Sequence, residues 1–445
     1  MARFAPYLRE VRPTLTLALP IVVGQLSQML MGVTDSVMIG QAGTVPLAAS
    51  SFGGNVFNIF YVIGIGLMVP VAIFVSRSRG AGKPVEAAEY LRHGVAMALG
   101  FGLLVTLLMA ALSLQLQHFD QPPEVMAIVR PFFLLIAASL TPVLVYLVLR
   151  EFAESMGHPW APMCIMLASV ALNAGLNWIF IYGNLGMPAL GLTGAGISTL
   201  VARIVGVTGI FLWLRRDPKV RDAWPRRWWG GFSTARFREM LTVGFPAAGM
   251  LLFEVSAFAI SSIMNGWLGA VPLAAHQIAI TTASMAFMVP LGLAMANGMR
   301  VSHAVGSGER HRLRPIAFST MGLGLSAMAF FAISFAFGGR TIASWYVNDA
   351  AVVALATQLL AVAALFQLFD GTQVIAAGSL RAIMDVRVPA IITLIAYWVI
   401  ALPLGYFLGV RGPWGAVGIW VGIATGLALA AVFMTLRFVR LTRAT

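Results

Sequence analysis

The sequence predicts an all-α polytopic membrane protein: twelve transmembrane helices arranged as two parallel-repeat six-helix bundles. Three observations lead there. Of 445 residues, 59% are hydrophobic and only 10% charged, against about 25% charged in an ordinary soluble domain, so lipid must solvate most of the chain. The basic residues concentrate in alternate connections. The first half of the chain is also rewritten in the second at one fixed offset.

Twelve apolar segments lie at approximately 12–39, 47–76, 87–116, 125–150, 158–183, 191–215, 237–264, 273–302, 312–338, 350–380, 387–410 and 414–440. Most exceed the roughly 20 residues that cross a bilayer, so the helices tilt or run past the hydrocarbon. The basic start followed by Thr14 to Met31 has no small-residue cleavage site, which reads as a retained first helix rather than a signal peptide.

Arg3, Arg9 and Arg12 precede the first helix, Arg77, Arg79 and Lys83 follow the second, and Arg215 to Arg238 follow the sixth. Arg300, Arg310, Arg312 and Arg314 follow the eighth, Arg381 and Arg387 flank the turn after the tenth, and Arg437, Arg440 and Arg443 close the chain. Loops 40–46, 184–190 and 265–272 hold no Lys or Arg. This positive-inside pattern places both termini and the central loop in the cytoplasm. The net charge of +13 therefore reports topology; nucleic acid is excluded as a partner because no soluble domain would receive it. The Arg-rich, Ala- and Gly-rich composition fits a GC-rich bacterial genome, hence a bacterial inner membrane. Cys164 is the only cysteine, so no disulfide forms within the chain; its apolar helix suggests a packed thiol.

A shift of 226 positions lays Gly43-Thr44-Val45-Pro46-Leu47-Ala48-Ala49 on Gly269-Ala270-Val271-Pro272-Leu273-Ala274-Ala275, differing only at Thr44 and Ala270. The same shift pairs Pro20 with Pro246, Gly66 with Gly292, Ser76 with Ser302, Gly80 with Gly306 and Gly82 with Gly308. Two six-helix lobes follow, 1–215 and 237–445, joined by a basic linker at 216–236. An even number of spans per half makes the repeat parallel, with its pseudo-twofold axis along the membrane normal and substrate expected in the cleft between bundles.

Three acids interrupt the apolar runs. A carboxylate at bilayer depth costs roughly 2.5–3.5 kcal/mol even on the mildest scale, and one that persists ordinarily serves ions or substrates. Asp35 lies about 34 Å along the first helix from Arg12, near the outer edge of the lipid core, where an acid can simply be solvated; Gln28 and Gln25 on the same face favour a lined cavity. Glu254 sits about 24 Å from Arg238, too deep to snorkel, with Arg203 of the other half the only basic residue at like depth. Asp370 lies about 16 Å before Arg381, with Gln367 and Gln373 three residues to either side on one face and Gly371 permitting close approach. Asn173 and Asn177, one turn apart, serve equally as interhelical glue or as oxygen ligands beside Asp35 for a hard monovalent cation. Under the repeat shift Glu254 falls on Gln28 and Asp35 on Ser261, so the halves share a scaffold but not an acid pattern.

Pro and Gly in several helices read as kinks or packing sites, and the Met and Phe residues as core, lipid-facing or adaptable pocket lining. Gly80-Ala81-Gly82-Lys83-Pro84 lacks the spacing and the hydroxyl of a phosphate-binding loop. The histidines are scattered, and no catalytic constellation stands out. The sequence thus predicts no enzyme, no catalytic residue and no cofactor; energy must come from an ion gradient or from the substrate's own.

The chain resembles the multidrug and toxic compound extrusion (MATE) family, in its NorM-like branch. The resemblance rests on Gly32-Val33-Thr34-Asp35-Ser36-Val37-Met38-Ile39-Gly40, Gly157-His158-Pro159 with Pro162, Leu172-Asn173, and Leu176-Asn177 through Gly183. In the second half it rests on Glu254, Phe369-Asp370 through Gly378, Leu380-Arg381, Asp385, Pro389, Tyr397-Trp398 and Pro403-Leu404-Gly405. It implies a MOP-type fold and an antiporter exporting small organic cations while Na⁺ or H⁺ enters. Asp35, Asn173 and Asn177 would match the family's N-lobe cation cluster and Glu254 with Asp370 its C-lobe acid pair, with Na⁺ held at either. Gln28, Phe366, Gln367 and Gln373 are further cavity-lining candidates. Relatives often carry Tyr four residues before the helix 10 acid; Phe366 offers a ring face to a cation but no hydroxyl. The implied partners are the drug, a monovalent cation and the bilayer, with no obligate protein partner. The rival reading is a flippase for a lipid-linked intermediate or polysaccharide, whose anionic pyrophosphate calls for a basic central cavity.

Overall fold

A computed structural model of the chain describes residues 5–119 and 122–443; Arg3 lies outside them. Among the described residues, twelve helices are long and apolar enough to cross a membrane: α1 Ala5–Ala42, α2 Thr44–Gly80, α3 Pro84–Leu112, α4 Pro123–Ser155, α5 Trp160–Phe180 and α6 Gly191–Arg216, then α7 Thr234–Trp267, α8 Ala270–Gly306, α9 Leu313–Ser344, α10 Ala350–Ala382, α11 Arg387–Arg411 and α12 Gly415–Leu441. Most outrun their apolar segments, because the flanking residues continue the helix beyond the depth at which hydropathy marks it. Arg9 and Arg12 accordingly lie within α1.

The repeat is written into the backbone. Gly43 and Gly269, which open α2 and α8, have φ of 137° and 118°, and Gly82 and Gly308, just past the ends of the same helices, have φ of 67° and 77°. Side chains are strained at such angles, so glycine is retained at both copies. Pro46 and Pro272 occupy the first turns of the two helices, where a missing N–H costs nothing.

The chain divides into two compact units, Val23–Ala248 and Met1–Val22 with Gly249–Thr445. In the first, α4 is central and packs on α2, α3 and α6, with α5 against α6; in the second, α10 is central and packs on α8, α9 and α12. The linear boundaries at 215 and 237 differ from these, because the opening stretch of each half's first helix joins the other unit. A Cβ on Gly66 of α2 would lie 2.2 Å from Cα of Ala248 in α7, and one on Gly292 of α8 would lie 3.0 Å from Cα of Val22 in α1. The shift of 226 relates the two contacts, and only glycine permits them.

Ionic contacts hold the start of each exchanged helix. Glu10 of α1 accepts from Arg300 of α8 and, at 3.0 Å, from Arg312 Nε. At the start of α7, Arg236 pairs with Glu89 at 2.9 Å, and Glu239 accepts from Tyr90 OH at 2.9 Å. The linker is also ordered: Arg92 donates to the carbonyls of Gly230 and Gly231 at 2.8 and 3.0 Å, and Trp224 packs edge-on against Phe211 and Trp228, with ring centroids 5.4 and 5.1 Å away.

Two features depart from the sequence reading. Cys164 is exposed on α5 rather than packed, since a small apolar thiol is as acceptable on a lipid-facing surface as in a core. The eleventh segment is not uniformly α-helical; it widens to π geometry over Ile395–Ala401 and Tyr406–Arg411. Pro403, which cannot donate to the carbonyl one turn back, lies between these stretches. Their tighter counterpart is a small-residue seam in which a Cβ on Gly418, Gly422 or Gly426 of α12 would lie 2.5–2.6 Å from backbone atoms of α11, the close helix approach that small residues allow in membranes.

Candidate functional site

The unit Val23–Ala248 gathers Asp35 with the Asn pair. Asp35 Oδ1 accepts from Asn177 Nδ2 at 2.6 Å, and Oδ2 accepts from Thr199 Oγ1 at 3.3 Å. Asn177 Nδ2 also reaches Asn173 Oδ1 at 3.4 Å, while Asn173 Nδ2 lies 3.5 Å from Thr199 Oγ1. Both asparagines are fully buried. Asp35 is therefore held by donors on two helices, and the carbonyl oxygen of Asn177 remains without a hydrogen-bond partner. The one-turn spacing of Asn173 and Asn177 puts both on the face of α5 that meets α1.

A cavity of about 290 Å³ opens beside this carboxylate, lined by Gln28, Met31, Asp35, Phe57, Asn58, Tyr61, Tyr146, Met166 and Arg203 among others. The predicted polar stripe on α1 thus reaches the cavity through Gln28, whose amide donates to Tyr61 OH; Gln25 is not among the lining residues. Arg203 finds its partners inside its own unit: Nη1 donates to Ser139 Oγ at 2.6 Å, and the guanidinium lies 4.9 Å from the Phe57 ring centroid. Sulfur, aromatic carbon, one anion and one cation give the cavity the profile of an amphiphile site, in which apolar walls supply affinity and a few polar groups fix orientation.

The other unit assembles its acids differently. Asp370 and Gln367 of α10 are buried, as is Gln373, and Gln367 Nε2 donates at 3.4 Å to the carbonyl of Ala283 on α8. Gln373, Arg381 and Asp370 are neighbours of Glu254 of α7, and Tyr397 neighbours both acids. Asp370 Oδ1, Gln367 Oε1, Gln373 Oε1 and the Tyr397 hydroxyl are all buried without a hydrogen-bond partner. Unsatisfied oxygens are rare in native interiors and call for an explanation such as an ion or a transferable proton.

Gly371 does admit a neighbour, since a Cβ there would meet Met328 Cγ of α9 at 2.7 Å; its role is helix packing. Phe366 is buried against Trp420, ring centroids 5.6 Å apart and 63° inclined, so its ring belongs to the core around that indole. Trp420 Nε1 donates to His276 Nδ1 at 3.1 Å, which leaves Nε2 to carry the proton toward Ser262 Oγ at 2.7 Å. His276 is thereby fixed as one neutral tautomer.

Thr199 and Tyr61 join the site without a signal in the sequence. A threonine among Gly and Ala on α6 carries no periodic signal, and a tyrosine in an apolar run reads as core; the one available hint for Thr199 was its place one turn before Arg203.

The MatE family model matches the chain twice, over residues 20–179 and 246–407, start points separated by the repeat offset. Over 450 aligned residues the chain is 34% identical to a probable multidrug resistance protein NorM of Rhizobium meliloti, covering 97% of this chain and 94% of that one. A probable NorM of Pseudomonas putida is 35% identical over 435 residues, covering 96% and 94%. Among solved structures, the Vibrio cholerae MATE transporter VcmN superposes with a TM-score of 0.91 at 20% identity, covering 99% of both chains. The eukaryotic MATE transporter AtDTX14 superposes with a TM-score of 0.86 at 19% identity, again over 99% of both.

Proposed function

The chain belongs to the MatE family, and from that premise we propose that it is a multidrug efflux antiporter, exporting amphiphilic organic cations in exchange for Na⁺ or H⁺. The observation that carries this reading is the placement of Asp35 on a cavity of about 290 Å³ walled by Met31, Met166, Phe57 and Tyr146. A cationic amphiphile gains there both apolar contact and a carboxylate. Neutralising Asp35 with an entering ion removes the second term and weakens the drug's hold. The buried oxygens around Glu254, Asp370 and Tyr397 offer a second place where the ion can bind and bias the conformation, because a ligand shifts an equilibrium only by its differential affinity for the two states.

The charge of the connecting loops supports a bacterial inner-membrane location with both termini in the cytoplasm. The lobes 1–215 and 237–445, with the openings of their first helices exchanged as described above, are the bodies that we expect to move in alternating access, with 216–236 linking them along the chain. A pyrophosphate-bearing lipid would place multiple negative charges beside Asp35 with Arg203 as the one cation lining that cavity, so the flippase reading is disfavoured.

Ethidium efflux from proteoliposomes under imposed Na⁺ and pH gradients tests the proposal and identifies the ion. Efflux driven by one of the gradients and abolished in Asp35→Asn supports it. Efflux indifferent to both gradients, or undiminished in Asp35→Asn, Glu254→Gln and Asp370→Asn alike, sinks it.

A further inference from the structure

The linker after α6 is an ordered platform rather than a slack connection. It begins with a 3₁₀ turn, Pro218–Ala223, capped by Asp217, whose carboxylate accepts from the Lys219 N–H at 3.0 Å. Val220, Ala223 and Pro225 are buried, and Trp224 and Trp228 pack on Phe211 of α6 with ring centroids 5.4 and 5.6 Å away. Its far end is fixed to α3: Arg92 holds the carbonyls of Gly230 and Gly231, and the Ser233 N–H donates to His93 Nε2 at 3.0 Å.

Packing uses the inward face of this platform, and the outward face carries charge. Arg215, Arg216, Lys219, Arg221, Arg226 and Arg227 are all exposed, and none makes an ion pair or a side-chain hydrogen bond among the described residues. Only Asp217 and Asp222 stand among them as acids, and Asp217 already lies 3.7 Å from His158. Next to Arg226 and Arg227 in the chain, Trp229 is 65% exposed. Both ends of the linker are ends of membrane-spanning helices, which keeps this face near the lipid headgroups. Clustered cations beside a membrane helix attract acidic lipids, and an indole favours the zone where apolar and polar layers meet.

We propose that the linker is a docking surface for acidic phospholipids, with Arg226 and Arg227 on the headgroup phosphate and Trp229 seated at the membrane interface. The proposal goes beyond the export reading and does not rest on it. A guanidinium fork matches a phosphate. A zwitterionic lipid offers the same phosphate, but its own ammonium cancels the charge, so the platform selects lipids of net negative charge.

Native mass spectrometry of the full chain in detergent, titrated with dioleoyl phosphatidylglycerol or dioleoyl phosphatidylcholine, reads the affinity for each lipid. Wild type should bind the glycerol lipid more tightly, and the preference should shrink as ionic strength rises, because salt screens exposed charges. Arg226→Gln combined with Arg227→Gln should cut the glycerol-over-choline ratio about tenfold. Trp229→Ala should weaken both lipids and leave the ratio nearly unchanged. The ionic-strength series needs no variant and keeps the test decisive if the double variant does not fold. Equal wild-type affinities for the two lipids, a preference indifferent to salt, or a double variant that keeps the full preference would each overturn the proposal.

Discussion

The Asp35 cluster and the Glu254–Asp370 cluster occupy separate units built on one duplicated scaffold, yet their polar chemistry is opposite. Asp35 accepts from Asn177 and Thr199, one donor at each oxygen, and borders an open cavity. Around Asp370 the oxygens of Gln367, Gln373 and Tyr397 are buried and unpartnered. The first arrangement sets a hydrogen-bonded carboxylate on the wall of a cavity. The second buries oxygens that have no hydrogen-bond partner. Duplication thus supplied equal backbones, visible in the matching angles at Gly43 and Gly269, while the side chains diverged; we propose that the halves do different work.

The comparison breaks most plainly with single carboxylate variants. Asp35→Asn should weaken ethidium binding to the purified protein by more than about tenfold, the loss of a charge-to-charge contact, whereas Asp370→Asn should abolish gradient-driven efflux with a much smaller change in ethidium affinity. Isothermal titration beside a transport assay reads both, and equal effects on the two readouts would end the division of labour. Next in size is Gly422→Leu in the α11–α12 seam, where a Cβ already meets the Gly405 nitrogen at 2.5 Å. Overpacking there should cost about 1–3 kcal/mol or more, seen as a fall in the melting temperature in detergent, and should disturb ion coupling, because α11 carries Tyr397.

Asn177→Leu probes the other cluster by removing the 2.6 Å donor to Asp35. A hydrogen bond to a charged group contributes about 1.5–3 kcal/mol, so drug affinity should change severalfold or more while the response to ion gradients persists. The smallest effect is expected from Trp398→Phe, which removes the 3.2 Å bond from the indole to the carbonyl of Phe253, next to Glu254. The loss should be about 1 kcal/mol of stability, measurable by thermal unfolding, with transport altered at most modestly.

Much of this was legible in the sequence, for identifiable reasons. Asp35, Glu254 and Asp370 stand out because a charge in an apolar run is conspicuous at any orientation, and Asn173 with Asn177 because a spacing of four defines a helix face. Thr199 and Tyr61 do not stand out, since a hydroxyl is unremarkable in such helices until a partner on another helix is known. Phe366 is a cavity-lining candidate only through the resemblance, whereas packing against Trp420 decides where its ring lies.

The sequence by itself determined the twelve spans, the duplication and the depth of the acids, because hydropathy, charge and spacing along a helix axis are local quantities. Tertiary structure alone decided that Arg203 shares a cavity with Asp35, that α11 widens around Pro403, and that the first stretches of α1 and α7 pack in exchanged units. These depend on which surfaces fit. The contacts of Gly66 with Ala248 and of Gly292 with Val22 are steric matches between residues far apart in the chain, and no local pattern encodes a shape that two distant segments make only on meeting.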